Sequence, residues 1–275
     1  MKEIDKTLEL RSDLKDYLDS CVERFNQADF IKNDPISIPH LFTTLQDIEI
    51  MGFWVAMLAW GQRKTIINKS LELIELMNGK PYEFIVNHHE KERKAFLDFK
   101  HRTFQATDTL YFLEFLQQYY RNNDSLEDAF SRHLSKDDIS TKNAISGFHE
   151  LFFSLPYAPE RTRKHIASPS RNSSCKRLNM FLRWMVRRDD NGVDFGLWQK
   201  IKPSQLMIPL DVHVARVGSR LNLLERKQRD WKAVEELTKN LRIFDPEDPV
   251  KYDFALFGLG VLENSHGISN KKSDV

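Results

Sequence analysis

A carboxylate at a predicted helix start is the first candidate for chemistry in this sequence. Asp211 lies in the segment IPLDVHVARV, residues 208–217. Pro209 disfavours helix before it and aspartate is a favoured N-cap residue, so we predict that a helix begins at Asp211. Arg216 and Arg220 follow four positions apart on one helical face. A carboxylate followed by cations in this way can face an anionic polymer; a plain helix cap is the alternative interpretation.

A run of positive charge without any acidic residue extends from Arg163 to Arg188. The formal net charge of the whole chain is only +1, so a nucleic-acid surface requires local segregation of charge of this kind. The run contains the polar loop SPSRNSSCK, residues 168–176, followed by a helical pattern that includes Trp184. Backbone amides of such a loop can approach a phosphate, which favours a phosphate-binding segment over a solvated basic face. The basic residues are Arg163, Lys164, Arg171, Lys176, Arg177, Arg183, Arg187 and Arg188.

A polar junction between two predicted helices is a second candidate contact surface. Trp60 and Gly61 end an apolar helical segment, and the next segment opens with Gln62, Arg63 and Lys64. An ordinary corner between helices with solvated charges explains the same pattern, so both interpretations stay open.

Several classes of protein are excluded by the general properties of the sequence. The N-terminal segment is charged and helical in pattern, unlike a secretory signal, and no apolar run approaches the length of about 20 residues that a membrane span needs. Cys21 and Cys175 have no metal-ligand spacing and predict free thiols in a reducing compartment. His88 and His89 are adjacent, cannot share a helical face as metal ligands, and are expected at the surface. We expect a cytoplasmic monomer without a metal or other cofactor, associated with the nucleoid when bound to DNA.

Helical periodicity recurs along the chain and strand signals are almost absent, which predicts an all-α fold. Residues 108–120, DTLYFLEFLQQYY, form an aromatic helical stripe that we assign to the core. Gly258 and Gly260, in the closing apolar helix, permit close helix packing. We predict one folded unit over residues 1–268 and a disordered tail over residues 269–275.

Four segments resemble a known family. They read DIEIMGFWVAMLAWGQRK, CKRLNMFLRWMVR, IPLDVHVARV and DPEDPVKYDFALFGLGV. Over nearly its full length the chain is similar to a bacterial family catalogued as domain of unknown function 2400. That resemblance is specific, and it implies no activity.

The order of these segments also resembles the helix-hairpin-helix DNA glycosylase superfamily, which includes endonuclease III and the archaeal 8-oxoguanine glycosylases. The helix start that carries the essential aspartate of those enzymes is similar to LDVHVARV, residues 210–217. The resemblance therefore implies that Asp211 is catalytic. It equates Lys176, at the head of CKRLNMFLRWM, with the lysine that attacks the sugar in bifunctional members.

The glycosylase resemblance implies a two-lobed helical bundle, with residues 1–40 and 190–268 in one lobe and residues 41–189 in the other. It implies a protein that flips a damaged base out of duplex DNA and excises it. The implied DNA contacts are Gln62, Arg63, Lys64, Arg171, Arg177, Arg183, Arg187 and Arg216. The implied base pocket is formed by Trp60, Trp184 and His213.

Several features depart from the glycosylase pattern. Lys176 and Asp211 are 35 positions apart, which is more than in endonuclease III, and an ungapped register places the duplex-inserting glutamine of that enzyme at Gly61 and not at Gln62. The polar loop SPSRNSS replaces the usual glycine-rich hairpin, and two cysteines cannot supply the iron–sulfur cluster of endonuclease III. Three possibilities stay open: a lyase in which Lys176 forms a Schiff base, a monofunctional glycosylase in which water attacks, and a DNA- or RNA-binding protein without catalysis. A module that binds an acidic partner protein is a further alternative.

Overall fold

A computed structural model gives the fold, and it describes the backbone of residues 2–265 and the side chains of residues 11–262. This part of the chain is all-α and contains no β-strand, which confirms the predicted fold class. Short 3-10 helices join the main helices. The α-helices are α1 (Lys2–Phe25), α2 (Ala28–Ile31), α3 (Leu45–Leu58), α4 (Arg63–Leu76), α5 (Pro81–Asn87), α6 (Ala106–Tyr120), α7 (Glu127–Ser131), α8 (Lys142–Phe152), α9 (Lys176–Val186), α10 (Val212–Arg220), α11 (Trp231–Phe244) and α12 (Tyr252–Ser265).

Helix α3 lies at the centre of the core. It is apolar on nearly every side, as expected for a helix surrounded by protein, and it packs against α4, α5 and α9. Phe53 is fully buried, and its ring contacts Phe112 of α6, Phe148 and Phe152 of α8, and Phe181 of α9. The aromatic stripe of α6 is buried, so its assignment to the core is confirmed. This core fixes the position of α9, which begins at Lys176.

Helix α12 packs closely against α1 on one side and α10 on the other. Glycines make this approach possible, because a Cβ at Gly258 would lie 2.4 Å from the Phe25 ring. A Cβ at Gly260 would lie 2.7 Å from His213 Cβ and 3.3 Å from the backbone of His213. The expectation that these glycines allow close packing is confirmed. Gly260 thereby determines how near α12 lies to the first turn of α10.

We expect the substitution Gly260→Ala to lower the free energy of unfolding by about 1–3 kcal/mol, because the added methyl group overpacks the α10–α12 contact. The urea midpoint of purified protein measures this change. Gly218→Ala is the matched control: Gly218 lies in α10, and a Cβ there would meet Leu237 at an ordinary distance of 3.4 Å. Equal midpoints for Gly260→Ala and wild type would contradict the close packing described here.

Several other expectations are tested by the fold. Cys21 and Cys175 are buried free thiols, as predicted. The surface assignment of His88 is wrong: its ring is buried, and Nδ1 lies 2.9 Å from the Phe84 carbonyl oxygen. None of the described helices is both long and apolar enough to cross a membrane. The predicted tail lies outside the described residues, and the division into two lobes stays a prediction.

Candidate active site

A cleft of about 730 Å³ lies where the starts of α9 and α10 approach α12. The residues that line it come from the segments 30–35, 59–66, 164–167 and 209–213, from the loop 173–175, and from α9 and α12. Lys176 and Asp211 both line this cleft, and Lys176 Nζ lies 3.8 Å from Asp211 Oδ2. Two residues that are 35 positions apart in the sequence thus form one ion pair in the cleft.

Asp211 is the N-cap residue of α10, as predicted. Its Oδ1 accepts hydrogen bonds from the backbone amides of His213 at 2.8 Å and Val214 at 2.9 Å. These bonds hold the carboxylate in one orientation, and the other oxygen, Oδ2, is the atom that approaches Lys176. Asp211 can therefore be a helix cap and also take part in the cleft, because one oxygen caps α10 and the other faces Lys176.

Lys176 is the first residue of α9, and the loop before it determines where its side chain points. Cys175 has left-handed backbone angles, with φ +48°, which turns the chain sharply into the helix. The loop is fastened to the start of α11, because Asn172 Nδ2 donates to Asp230 Oδ2 at 3.0 Å and Ser173 forms a β-bridge with Asp230. The Lys176 side chain is 32% exposed and that of Asp211 16%, so the pair is accessible from the cleft.

Two further acids, Asp34 and Asp253, line the cleft, and sequence reasoning missed both. Burial raises the pKa of Asp34, although the guanidinium of Arg63, 3.8 Å from its Oδ2, acts in the opposite direction. Burial also raises the pKa of Asp253 to about 6, and the nearby Asp211 carboxylate adds to this effect. The sequence did contain a signal for Asp253, since it is an acid within the apolar helix segment YDFALFGLGV and such an acid requires a partner.

Arg183 provides that partner: it lines the cleft, but its guanidinium is buried and held by carboxylates. It is 4% exposed and forms ion pairs with Asp253 and with Asp194, the latter at 3.2 Å. Arg187 is 3% exposed and pairs with Asp189, Asp194 and Asp248. The assignment of Arg183 and Arg187 to phosphate contacts is wrong, because buried arginines that hold carboxylates cannot reach a phosphate.

The polar junction before α4 lies at the edge of the cleft. Trp60 and Arg63 line the cleft, and the Trp60 ring is 37% exposed with the Arg102 guanidinium 4.5 Å from its centroid. Gln62 is the exposed residue that precedes α4, and Lys64 is exposed in its first turn. Trp60 and Arg63 are therefore placed to contact a molecule in the cleft, whereas Gln62 and Lys64 lie beside the residues that line it.

Three other predicted DNA contacts differ in their positions. Arg177 lines the cleft, but its guanidinium donates to the carbonyl oxygens of Met57 and Lys164, and burial lowers its pKa to about 10. Arg171 is exposed and lies outside the cleft lining. Arg216 is exposed on α10 and donates to the carbonyl oxygen of Gly260 at 2.7 Å. Arg177 thus holds the cleft wall together, and the other two lie on the surrounding surface.

The three residues predicted to form a base pocket, Trp60, Trp184 and His213, all line the cleft. His213 lines the cleft, with Nδ1 3.2 Å from the Gly260 carbonyl oxygen and its ring edge-on to Phe257. Trp184 lies at the wall of the cleft, but its side chain is fully buried and presents no ring surface for stacking on a base. The partly exposed or exposed aromatic rings that line the cleft are those of Phe30, Trp60, His213 and Phe257.

The described part of the chain is thus all-α, and its cleft contains a lysine–aspartate pair. Residues 34–262 match the model of a family described as "Protein of unknown function (DUF2400)", and the chain belongs to that family. Comparisons with curated proteins and with solved structures give no match.

Proposed function

We propose that this protein is a DNA-repair enzyme similar to a glycosylase, which excises a damaged base and cleaves the abasic site through a Schiff base on Lys176. The observation that carries the proposal is the 3.8 Å separation of Lys176 Nζ and Asp211 Oδ2 within the cleft. The resemblance of LDVHVARV and CKRLNMFLRWM to the corresponding glycosylase segments supports the same two residues.

The chemistry of base excision uses this pair directly. An amine attacks C1′ of the sugar only in its neutral form, so a carboxylate in contact with the amine is placed to accept the proton that it loses. Breaking the glycosidic bond builds positive charge on the sugar, and a fixed carboxylate stabilises that charge. Asp211 Oδ2 suits both tasks, because the hydrogen bonds to Oδ1 prevent the side chain from turning away.

The cleft also has the size and composition that a flipped nucleotide requires. Its volume of about 730 Å³ lies within the range of small-molecule sites. Trp60 offers a ring for stacking, and the exposed side chain of Lys164 and the guanidinium of Arg63 offer positive charge toward phosphates. These groups line the same cleft as the lysine–aspartate pair.

Borohydride trapping on a DNA duplex with one abasic site tests the proposal. We expect a covalent protein–DNA adduct with that duplex, none with an intact duplex of the same sequence, and less adduct as the salt concentration rises. Salt-dependent binding to both duplexes without any adduct would contradict the lyase and favour a nucleic-acid-binding protein without this chemistry.

A further inference from the structure

The buried ion pairs beneath the cleft contain more acids than bases. Two guanidiniums, Arg183 and Arg187, contact four carboxylates, those of Asp189, Asp194, Asp248 and Asp253. Uncompensated buried charge is costly, so a group of this composition favours uptake of a proton by one of its acids.

The position of each acid relative to the cleft indicates which of them can pass a proton to a bound molecule. The two oxygens of Asp194 contact both arginines at 3.2 Å; burial raises its pKa as well, but Asp194 does not line the cleft. Hydrogen bonds from Asn26 and Arg187 outweigh burial and lower the pKa of Asp189. Burial raises the pKa of Asp248, but Asp248 does not line the cleft. Asp253 contacts Arg183 through Oδ2 alone, is 8% exposed, and its Oδ1 accepts no hydrogen bond from the described residues.

Asp253 is the acid of this group that lines the cleft together with Lys176 and Asp211, and its partner Arg183 lines the cleft as well. The charged groups that act on it are Arg183 and Lys176 of α9 and Asp211 at the start of α10. From α1, Asp19 pairs with Lys251, just before α12. A carboxylic acid that faces a reacting sugar from the same cavity as the nucleophile is placed to donate a proton to a leaving group.

We infer that Asp253 is the general acid of the cleft and donates its proton to the group that leaves C1′. This inference rests on the proposed function. When the carbinolamine formed by Lys176 and the ring-opened sugar loses water, the C1′–O bond breaks and the oxygen leaves with the Asp253 proton. The lone pair of Lys176 Nζ forms the C=N bond, and the Asp253 carboxylate regains a proton from solvent. In base excision, Asp253 donates its proton instead to the nitrogen of the leaving base.

The pH dependence has a definite sign. Burial keeps Asp253 protonated to a pH near 6, so the donor is present below this pH and is lost as the pH rises through it. We expect the rate of iminium formation on an abasic duplex, trapped with cyanoborohydride in single-turnover experiments, to fall above pH 6 for wild type. Asp253→Asn lacks the proton, so its rate at pH 6 should be about 100-fold lower and should not fall between pH 6 and 8.

A second variant separates catalysis from structural damage. Asp194→Asn removes a partner of Arg183 from the same buried group but keeps the acid at position 253. The charge of Arg183 then acts more strongly on Asp253, so the fall in rate should move to lower pH and not disappear.

The outcomes distinguish the two proposals. An Asp253→Asn protein with the wild-type rate and pH profile would overturn the general-acid role and leave the proposed function intact. An unchanged profile in Asp194→Asn would likewise overturn it. Absence of any adduct with wild-type protein would overturn the proposed function, and this inference with it.

Discussion

The Lys176→Ala protein should form no borohydride adduct with a duplex that contains an abasic site, under conditions where wild type forms one. The side chain of Lys176 supplies the amine in the cleft that lies 3.8 Å from the proton acceptor Asp211, and alanine cannot form a Schiff base. Gel analysis of the covalent complex measures the effect. Lys176 begins α9 and is partly exposed, so its loss leaves the core untouched and the variant should remain folded.

A second lysine of the cleft provides the matched control. Lys164 also lines the cavity and is exposed, but no carboxylate of the described residues pairs with it. We expect Lys164→Ala to keep forming the adduct, with at most weaker DNA binding. If Lys164→Ala lost the adduct and Lys176→Ala retained it, the assignment of the nucleophile would be wrong.

The Asp211→Asn protein should cleave an abasic duplex about 100- to 10,000-fold more slowly than wild type, the range expected for loss of a general base. Asparagine is as good an N-cap residue as aspartate, so the hydrogen bonds from His213 and Val214 can form in the variant. The substitution therefore removes the charge next to Lys176 without removing the cap. Single-turnover cleavage of labelled duplex measures the rate.

Asp230→Asn is the control for loss of a capping aspartate. Asp230 is the N-cap residue of α11 and accepts from the Ala233 amide at 3.1 Å, but it does not line the cleft. Asparagine keeps an oxygen that can accept from Asn172, and the bridge between Ser173 and position 230 is formed by the backbone, so the loop before α9 stays in place. We therefore expect this variant to cleave at nearly the wild-type rate. If Asp211→Asn also cleaved at the wild-type rate, Asp211 would be a helix cap and nothing more.

The helices and the position of Asp211 could be predicted because they depend on local sequence. Helical periodicity, the proline before Asp211 and the capping preference of aspartate act within a few residues of one another. The close approach at Gly258 and Gly260 was also predictable, because a glycine within an apolar helix removes the atom that keeps helices apart.

The roles of the arginines could not be predicted from the charge of their own segment. Residues 163–188 contain no acid, which suggested a surface for phosphates. The acids that bind Arg183 and Arg187 come from Asp189, Asp194 and Asp248 outside this segment and from Asp253 in α12. Folding brings these charges together, so local charge counting overestimated the basic surface. Asp34 and Asp253 are also far in sequence from Lys176 and Asp211, so local sequence patterns did not predict that they line the cleft.

Mass spectrometry of the reduced adduct tests the central claim most directly. Wild-type protein is trapped with borohydride on an abasic duplex, the complex is digested with protease and nuclease, and the modified peptide is sequenced. The account predicts that the sugar remnant is attached to Nζ of Lys176, in the peptide that begins α9. Attachment to any other lysine, or the absence of a modified peptide, would contradict it.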